Sequence, residues 1–185
     1  MIETPKAGRN IITRGLPKTG QVTSYQAGDD GQYEAGWWVG RLNANNRVRF
    51  IKKEMMVGES ITIDRATGLM WATYKDEAGC NFDASMDWDD AIIYAEGLTF
   101  AGFTDWRLPN VKELASIADY SRVNPAIDIT MFNCAAAYYW SATTYSAMTD
   151  WAFVVDIFTG ALIHDTDKSL GEALGVKIRC VRGGL

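Results

Sequence analysis

The hydrophobic pattern of this chain changes period twice, and each change marks a change of structure. In the first half, Ser60-Ile61-Thr62-Ile63-Asp64 alternates polar and apolar residues, as a strand with one buried face does. Arg47 to Lys53 is read as a strand before it. Arg65-Ala66-Thr67-Gly68 is a turn, and Leu69-Met70-Trp71 is a short buried strand, so Ser60 to Trp71 forms a hairpin. From Ser85 the apolar residues Trp88, Ala91, Ile92, Ala95 and Leu98 fall on one helical face. Asp87, Asp89 and Asp90 sit in its first turn, where the helix dipole favours negative charge without any metal. Gly97 and Gly102 bracket its end.

A second helix follows within Ala101 to Tyr120. Asp105-Trp106-Arg107-Leu108-Pro109 is extended, because the residue before proline is kept out of the α region. Asn110 is an N-cap, with Glu113 three positions on to complete a capping box, and Leu114, Ile117 and Ala118 form the buried face. Trp106 and Leu108 are assigned to the core. Arg107 is assigned to buried carbonyls or a carboxylate, which its rigid fork of donors fits. Asp105 is assigned to bracing the turn. Beyond Asn124-Pro125 the period returns to two. Strands are expected at Tyr138–Thr144, Asp150–Asp156, Ala161–His164 (after the Thr159-Gly160 turn) and Val176–Arg182. No internal repeat is visible. Strands, two helices and a strand meander make an α+β layout with antiparallel pairing.

Residues 1–40 differ from the rest. They hold seven glycines together with Pro5 and Pro17, and read as an irregular arm or oligomer contact ahead of a domain at 41–185. Ile11-Ile12 and Trp37-Trp38 suit docking on a neighbour. Leu16 to Gly20 spells the LPxTG wall-sorting pentapeptide, without the apolar tail and basic end that signal needs. Gly28-Asp29-Asp30-Gly31 offers oxygens to a calcium ion, but lacks the twelve-residue calcium-loop pattern and is read as a tight turn.

Composition narrows the function. Apolar residues make up 48% and charged residues 22% of 185, which is ordinary for a folded domain. A net charge of −5 opposes nucleic-acid binding, so no nucleic-acid partner is expected. The four cations between Arg47 and Lys53 are read as a solvated strand face. Cys80, Cys134 and Cys180 have no CxxC spacing; they leave open three thiols, or one bridge and a leftover. No signal peptide or apolar run of about 18 residues is present, so membrane insertion is not expected. His164 is the one histidine, and no Gly-x-Ser-x-Gly elbow or phosphate loop accompanies it. An enzyme is not expected, and no cofactor is assigned.

Several motifs together resemble a known family. They are Leu16–Gln21, Gly28–Gly31, Ala66-Thr67-Gly68-Leu69-Met70-Trp71, Trp88 with Ala91 and Ala95, and Gly102. Asp105-Trp106-Arg107-Leu108-Pro109-Asn110, Lys112-Glu113-Leu114, Tyr139-Trp140-Ser141-Ala142-Thr143 and Arg179-Cys180-Val181-Arg182-Gly183 complete the set. In this order they resemble the collagen-like-adhesin C-terminal (Lcl C-terminal) domain family, a branch of the C-type-lectin fold. The resemblance implies two helices packed on a twisted antiparallel sheet, with the termini close together. It also implies a homo-oligomer, a trimer for preference. The chain departs from the family at Val57-Gly58-Glu59-Ser60 and lacks the sugar motifs of calcium lectins, so calcium-dependent sugar binding is not implied.

The functional expectation is a non-catalytic ligand-binding or attachment module, displayed on a phage virion or cell surface and taking a glycan or protein receptor. Its candidate contacts are Tyr145, Ser146, Met148, Thr149 and Asp150, followed by Asp165, Asp167 and Lys168 on the next loop. Such mixtures of small, aromatic and polar side chains suit adaptable surfaces. The alternatives are a variable target of a diversity-generating retroelement and a structural tail or decoration subunit. A formylglycine-generating type of enzyme ranks last, because a reactive cysteine pair is missing from the pattern.

Overall fold

Two antiparallel sheets carry the fold of the computed structural model, which describes residues 17–34, 36, 49–73 and 84–183. The first sheet holds β1 (Phe50–Met56), β2 (Glu59–Asp64), β3 (Met70–Ala72) and β7 (Val181–Arg182), in the order β1-β2-β3-β7. The second holds β4 (Tyr138–Thr144), β5 (Trp151–Asp156) and β6 (Leu162–Asp167), in chain order. The helices are α1 (Asp30–Tyr33), α2 (Trp88–Gly97), α3 (Val111–Ala115) and α4 (Gly171–Leu174), the last preceded by a 3₁₀ turn at Lys168–Leu170. The architecture is α+β, but with two sheets where one was expected. The outer edge of β4 is satisfied by irregular chain, through Trp140 N–H to Lys177 O, Lys177 N–H to Tyr138 O and Ala142 N–H to Pro109 O at 2.8–2.9 Å. No strand of the first sheet is needed there. For the same reason the expected strand Val176–Arg182 is regular only at its end.

Neighbouring residues of one strand point to opposite faces, and here both faces are buried. Ala72, Trp140, Val154 and Cys180 join Ala91 and Ala95 of α2, with Trp106 and Leu108, in one core cluster. Trp71, Tyr139, Val155 and Val181 join Leu114 and Ile117 in a second cluster on the α3 side. Two apolar faces per strand explain why segments such as Trp151-Ala152-Phe153-Val154-Val155 read as continuous apolar runs rather than alternating ones. In α2 the buried stripe is Ala91 and Ala95, small enough for close approach, whereas Ile93 faces outward.

The Asp105–Asn110 segment is scaffold. Trp106 is buried and donates its indole N–H to Phe100 O at 3.1 Å. The Arg107 main chain exchanges two 2.9 Å bonds with Val181, tying this segment to β7. Its guanidinium forks onto Glu113 with two 2.8 Å bonds and also reaches Leu108 O and Gly183 O. Glu113 in turn accepts the Asn110 N–H at 2.8 Å, while Asn110 Oδ1 accepts the Lys112 and Glu113 N–H groups, a complete capping box. Asp105 does more than brace its own turn. It pairs with Arg182 at 2.7 and 2.9 Å, because β7 lies alongside, and the Arg182 guanidinium also covers the Phe103 ring.

A local repeat invisible to periodicity recurs once in each sheet. In Asp64-Arg65-Ala66-Thr67-Gly68, between β2 and β3, Asp64 accepts the Ala66 N–H (2.9 Å) and the Thr67 hydroxyl (2.9 Å). In Asp156-Ile157-Phe158-Thr159-Gly160, between β5 and β6, Asp156 accepts the Phe158 N–H (2.8 Å) and the Thr159 hydroxyl (2.6 Å). Both turns close with the glycine N–H on the aspartate carbonyl at 2.7 Å. Both glycines have φ near +80°, which is the conformation that selects glycine.

In the N-terminal part, Thr19 O accepts the Tyr120 N–H at 2.9 Å, so residues 17–20 lie against the end of the α3 segment. Asp29 caps α1, its carboxylate accepting the Tyr25, Gln26 and Gln32 N–H groups. These bonds hold it below the usual carboxylate range, the Tyr25 bond contributing most. Ile11-Ile12, Leu16, Trp37-Trp38 and Cys80 lie outside the described residues. Cys134 carries a free thiol, half-buried 3.3 Å from Tyr139 Oη.

Candidate functional site

One end of the second sheet gathers three segments that are far apart in the chain. They are the β4–β5 loop (Tyr145 to Asp150), the corner after β6 (Asp167 to Ser169) and the start of α2 (Asp87 to Asp90). Between them lies an open cleft of about 590 Å³ lined by Asp87, Asp89, Asp90, Asp150, Asp167, Lys168 and Ser169.

Local chemistry fixes each segment. The β4–β5 loop is closed by Tyr145 N–H to Trp151 O, Met148 N–H to Tyr145 O and Trp151 N–H to Met148 O, at 2.9–3.1 Å. Tyr145 packs edge-on against Phe153, with ring centroids 5.6 Å apart, and this anchors the loop to the sheet. Ser146, Met148 and Thr149 are left exposed on its crest. Asp167 caps the 3₁₀ turn, accepting the Ser169 N–H (2.9 Å) and hydroxyl (2.8 Å). Those two bonds, the amide first, hold the Asp167 carboxyl below the usual carboxylate range. Asp87 accepts the Glu172 N–H at 3.0 Å, joining the start of α2 to α4.

Lys168 joins all three segments. Its ammonium donates to Thr149 O (2.8 Å) and Thr144 Oγ1 (3.0 Å) and sits 3.9 Å from the Trp88 ring centroid. Trp88 is itself held by its indole N–H on Ser141 O at 2.8 Å. The single cation of the cleft is therefore committed to the loop and to an aromatic face. The five carboxylates around it give the opening a negative field, suited to cations and to hydroxyl donors. Among the described residues, no group of three or more His, Cys, Asp or Glu side chains converges tightly enough to hold a metal ion.

Of the residues singled out from the sequence, Asp150, Asp167 and Lys168 line the cleft. Tyr145, Ser146, Met148 and Thr149 form the loop beside it, and Asp165 lies in β6 with its side chain outside the described ones. In the sequence Asp87, Asp89 and Asp90 read only as dipole-complementing residues. Nothing in the linear pattern places them opposite a loop 60 residues later, and no local signal marks Ser169.

The segments that build this geometry, from β2 to β7, coincide with a known domain. The Lcl C-terminal domain model matches residues 60–182. The chain belongs to the Lcl C-terminal domain family. No curated protein and no solved structure matches it. The matched span of this Lcl C-terminal domain contains the whole cleft and the Asp105–Asn110 scaffold. It leaves out Leu16–Gln21, Gly28–Gly31 and β1, so the resemblance of those N-terminal motifs is not part of the match.

Proposed function

We propose that this Lcl C-terminal domain is a non-catalytic ligand-binding module of C-type-lectin type, displayed on a virion or cell surface. The observation that carries the reading is the convergence of the β4–β5 loop, the β6 corner and the start of α2 on one carboxylate-lined cleft. Binding residues concentrate on loops that a rigid scaffold presents, and here two buried clusters support those loops from below. Membership of the Lcl C-terminal domain family supports an adhesin-like role.

The cleft chemistry narrows the receptor. Five aspartates facing one committed lysine repel sulfated glycans and attract neutral or amino sugars, or a basic protein surface. A glycan array containing neutral, amino-sugar and sulfated members, read with and without EDTA, tests this. Binding of a neutral or amino sugar that an Asp150→Asn/Asp167→Asn double variant loses is the expected result. Capture of sulfated members alone, unchanged by the double variant, refutes it.

A further inference from the structure

The two strand meanders, β1-β2-β3 and β4-β5-β6, share more than the turn already described. In the first, Phe50 stands opposite Asp64; in the second, Tyr138 stands opposite Asp156. The residue before each aromatic accepts an N–H from the residue after each aspartate. Arg65 N–H bonds Arg49 O, and Ile157 N–H bonds Ala137 O, both at 2.9 Å. Arg49 and Ala137 are therefore equivalent positions.

At the first position Arg49 forks onto Asp64, through Nε at 3.0 Å and Nη2 at 2.8 Å, with its guanidinium carbon 4.4 Å from the Phe50 ring centroid. Each Asp64 oxygen thus accepts two bonds, one from its own turn and one from arginine. At the second position the turn bonds are the same, but alanine supplies no donor. Each Asp156 oxygen accepts one bond, and among the described residues no cation pairs with it. Asp156 is nonetheless only 7% exposed, and a carboxylate so little solvated favours a bound counter-charge. Beside it Tyr138 and Phe158 are 42% and 45% exposed, an aromatic surface of the kind that interfaces use.

We propose that Asp156 and Tyr138 form a guanidinium half-site, filled by an arginine side chain of a protein partner. The arrangement around Arg49 and Asp64 is its template. A fork of two parallel donors fits the two oxygens, each with one acceptor position in use, while the ring covers the cation face. Lysine, a point charge, satisfies only part of that geometry. The site is at the opposite end of β5 from the aspartate cleft, so it stands or falls independently of the proposed receptor site.

Fluorescence anisotropy on the full chain tests it, using labelled tetra-arginine and tetra-lysine peptides. The arginine peptide is expected to bind about tenfold tighter than the lysine peptide, since the fork adds charge-assisted hydrogen bonds. Asp156→Asn is expected to remove that preference. Ala137→Arg, which leaves the aspartate turn intact, is expected to remove it too by filling the site from within the chain. Asp150→Asn/Asp167→Asn is expected to preserve it. Equal binding of both peptides, or arginine preference within twofold of the wild type in both Asp156→Asn and Ala137→Arg, overturns the proposal. Sedimentation of the unliganded chain covers the remaining source of arginine. Self-association abolished by Asp156→Asn would mean that a second copy fills the site, and would overturn the assignment to a different partner.

Discussion

Replacing Arg107 by alanine removes the junction between the start of α3 and the chain just after β7, and its cost follows from the geometry. Four donors are lost. Two point at Glu113 (2.8 Å each), one at Leu108 O (3.1 Å) and one at Gly183 O (2.9 Å). The side chains of Arg107 and Glu113 are 28% and 15% exposed, so this pair is neither a surface bridge nor a fully buried one. Exposed pairs contribute about 0–1 kcal/mol and breaking buried ones costs about 3–5 kcal/mol; about 2–3 kcal/mol is the appropriate interval here. In a domain of this size that corresponds to a fall in Tm of roughly 5–10 °C. The pH dependence supplies a second reading. Burial alone would raise the Glu113 carboxyl, but the Arg107 fork and the Asn110 N–H outweigh it and leave the group below its ordinary value. A depressed carboxylate contributes stability that is fully present above its unfolded pKa of about 4.3 and is lost as pH falls through the lower, folded value. Calorimetry from pH 7 down to pH 3 should therefore show the gap between wild type and Arg107→Ala narrowing at the acid end, with receptor specificity unchanged at neutral pH. A gap that is constant with pH, or a Tm within about 1 °C of wild type at pH 7, would refute the reasoning.

Other substitutions test other parts of the argument. Arg49→Met strands Asp64 in the core with half its bonds and should cost about 3–5 kcal/mol in chemical denaturation, more than Arg107→Ala. Lys168→Met removes the ammonium from the Trp88 face together with the donors to Thr149 and Thr144. Amide exchange should accelerate across residues 144–150, with little change in the core strands. Gly171→Ala would place a methyl 2.3 Å from Met86 O and 2.8 Å from Trp140 Nε1. It should disrupt the 2.9 Å Trp140–Met86 bond and lower the denaturation midpoint sharply. Asn110→Ala removes the Oδ1 that accepts the Lys112 and Glu113 N–H groups and should cost about 1 kcal/mol. It should couple non-additively with Arg107→Ala in a double-mutant cycle, because one releases the main chain of Glu113 and the other its side chain.

Elements governed by local rules were legible in the chain. Asn110 and Glu113 specify a capping box whatever surrounds them, because the bonds close within four residues. Alternation at Ser60 to Asp64, helical spacing from Trp88 to Leu98 and glycine at Gly68 and Gly160 are likewise set by backbone periodicity and φ. These residues determined the hairpin, the helix start, the turns and the α+β class, and they placed Trp106 and Leu108 in the core. Tertiary structure alone decided what long-range closure controls. It divided the strands into two sheets, because irregular chain at Lys177 and Pro109 satisfied the β4 edge. It sent Asp105 to Arg182 across 77 positions. It turned Asp87, Asp89 and Asp90 from helix-start residues into one wall of a cleft. It also made Arg49 and Ala137 equivalent, a relation between two main-chain frames that no side-chain pattern records. Local hydrogen bonds are written in neighbouring residues; which distant groups share a cleft depends on how two buried faces per strand are packed.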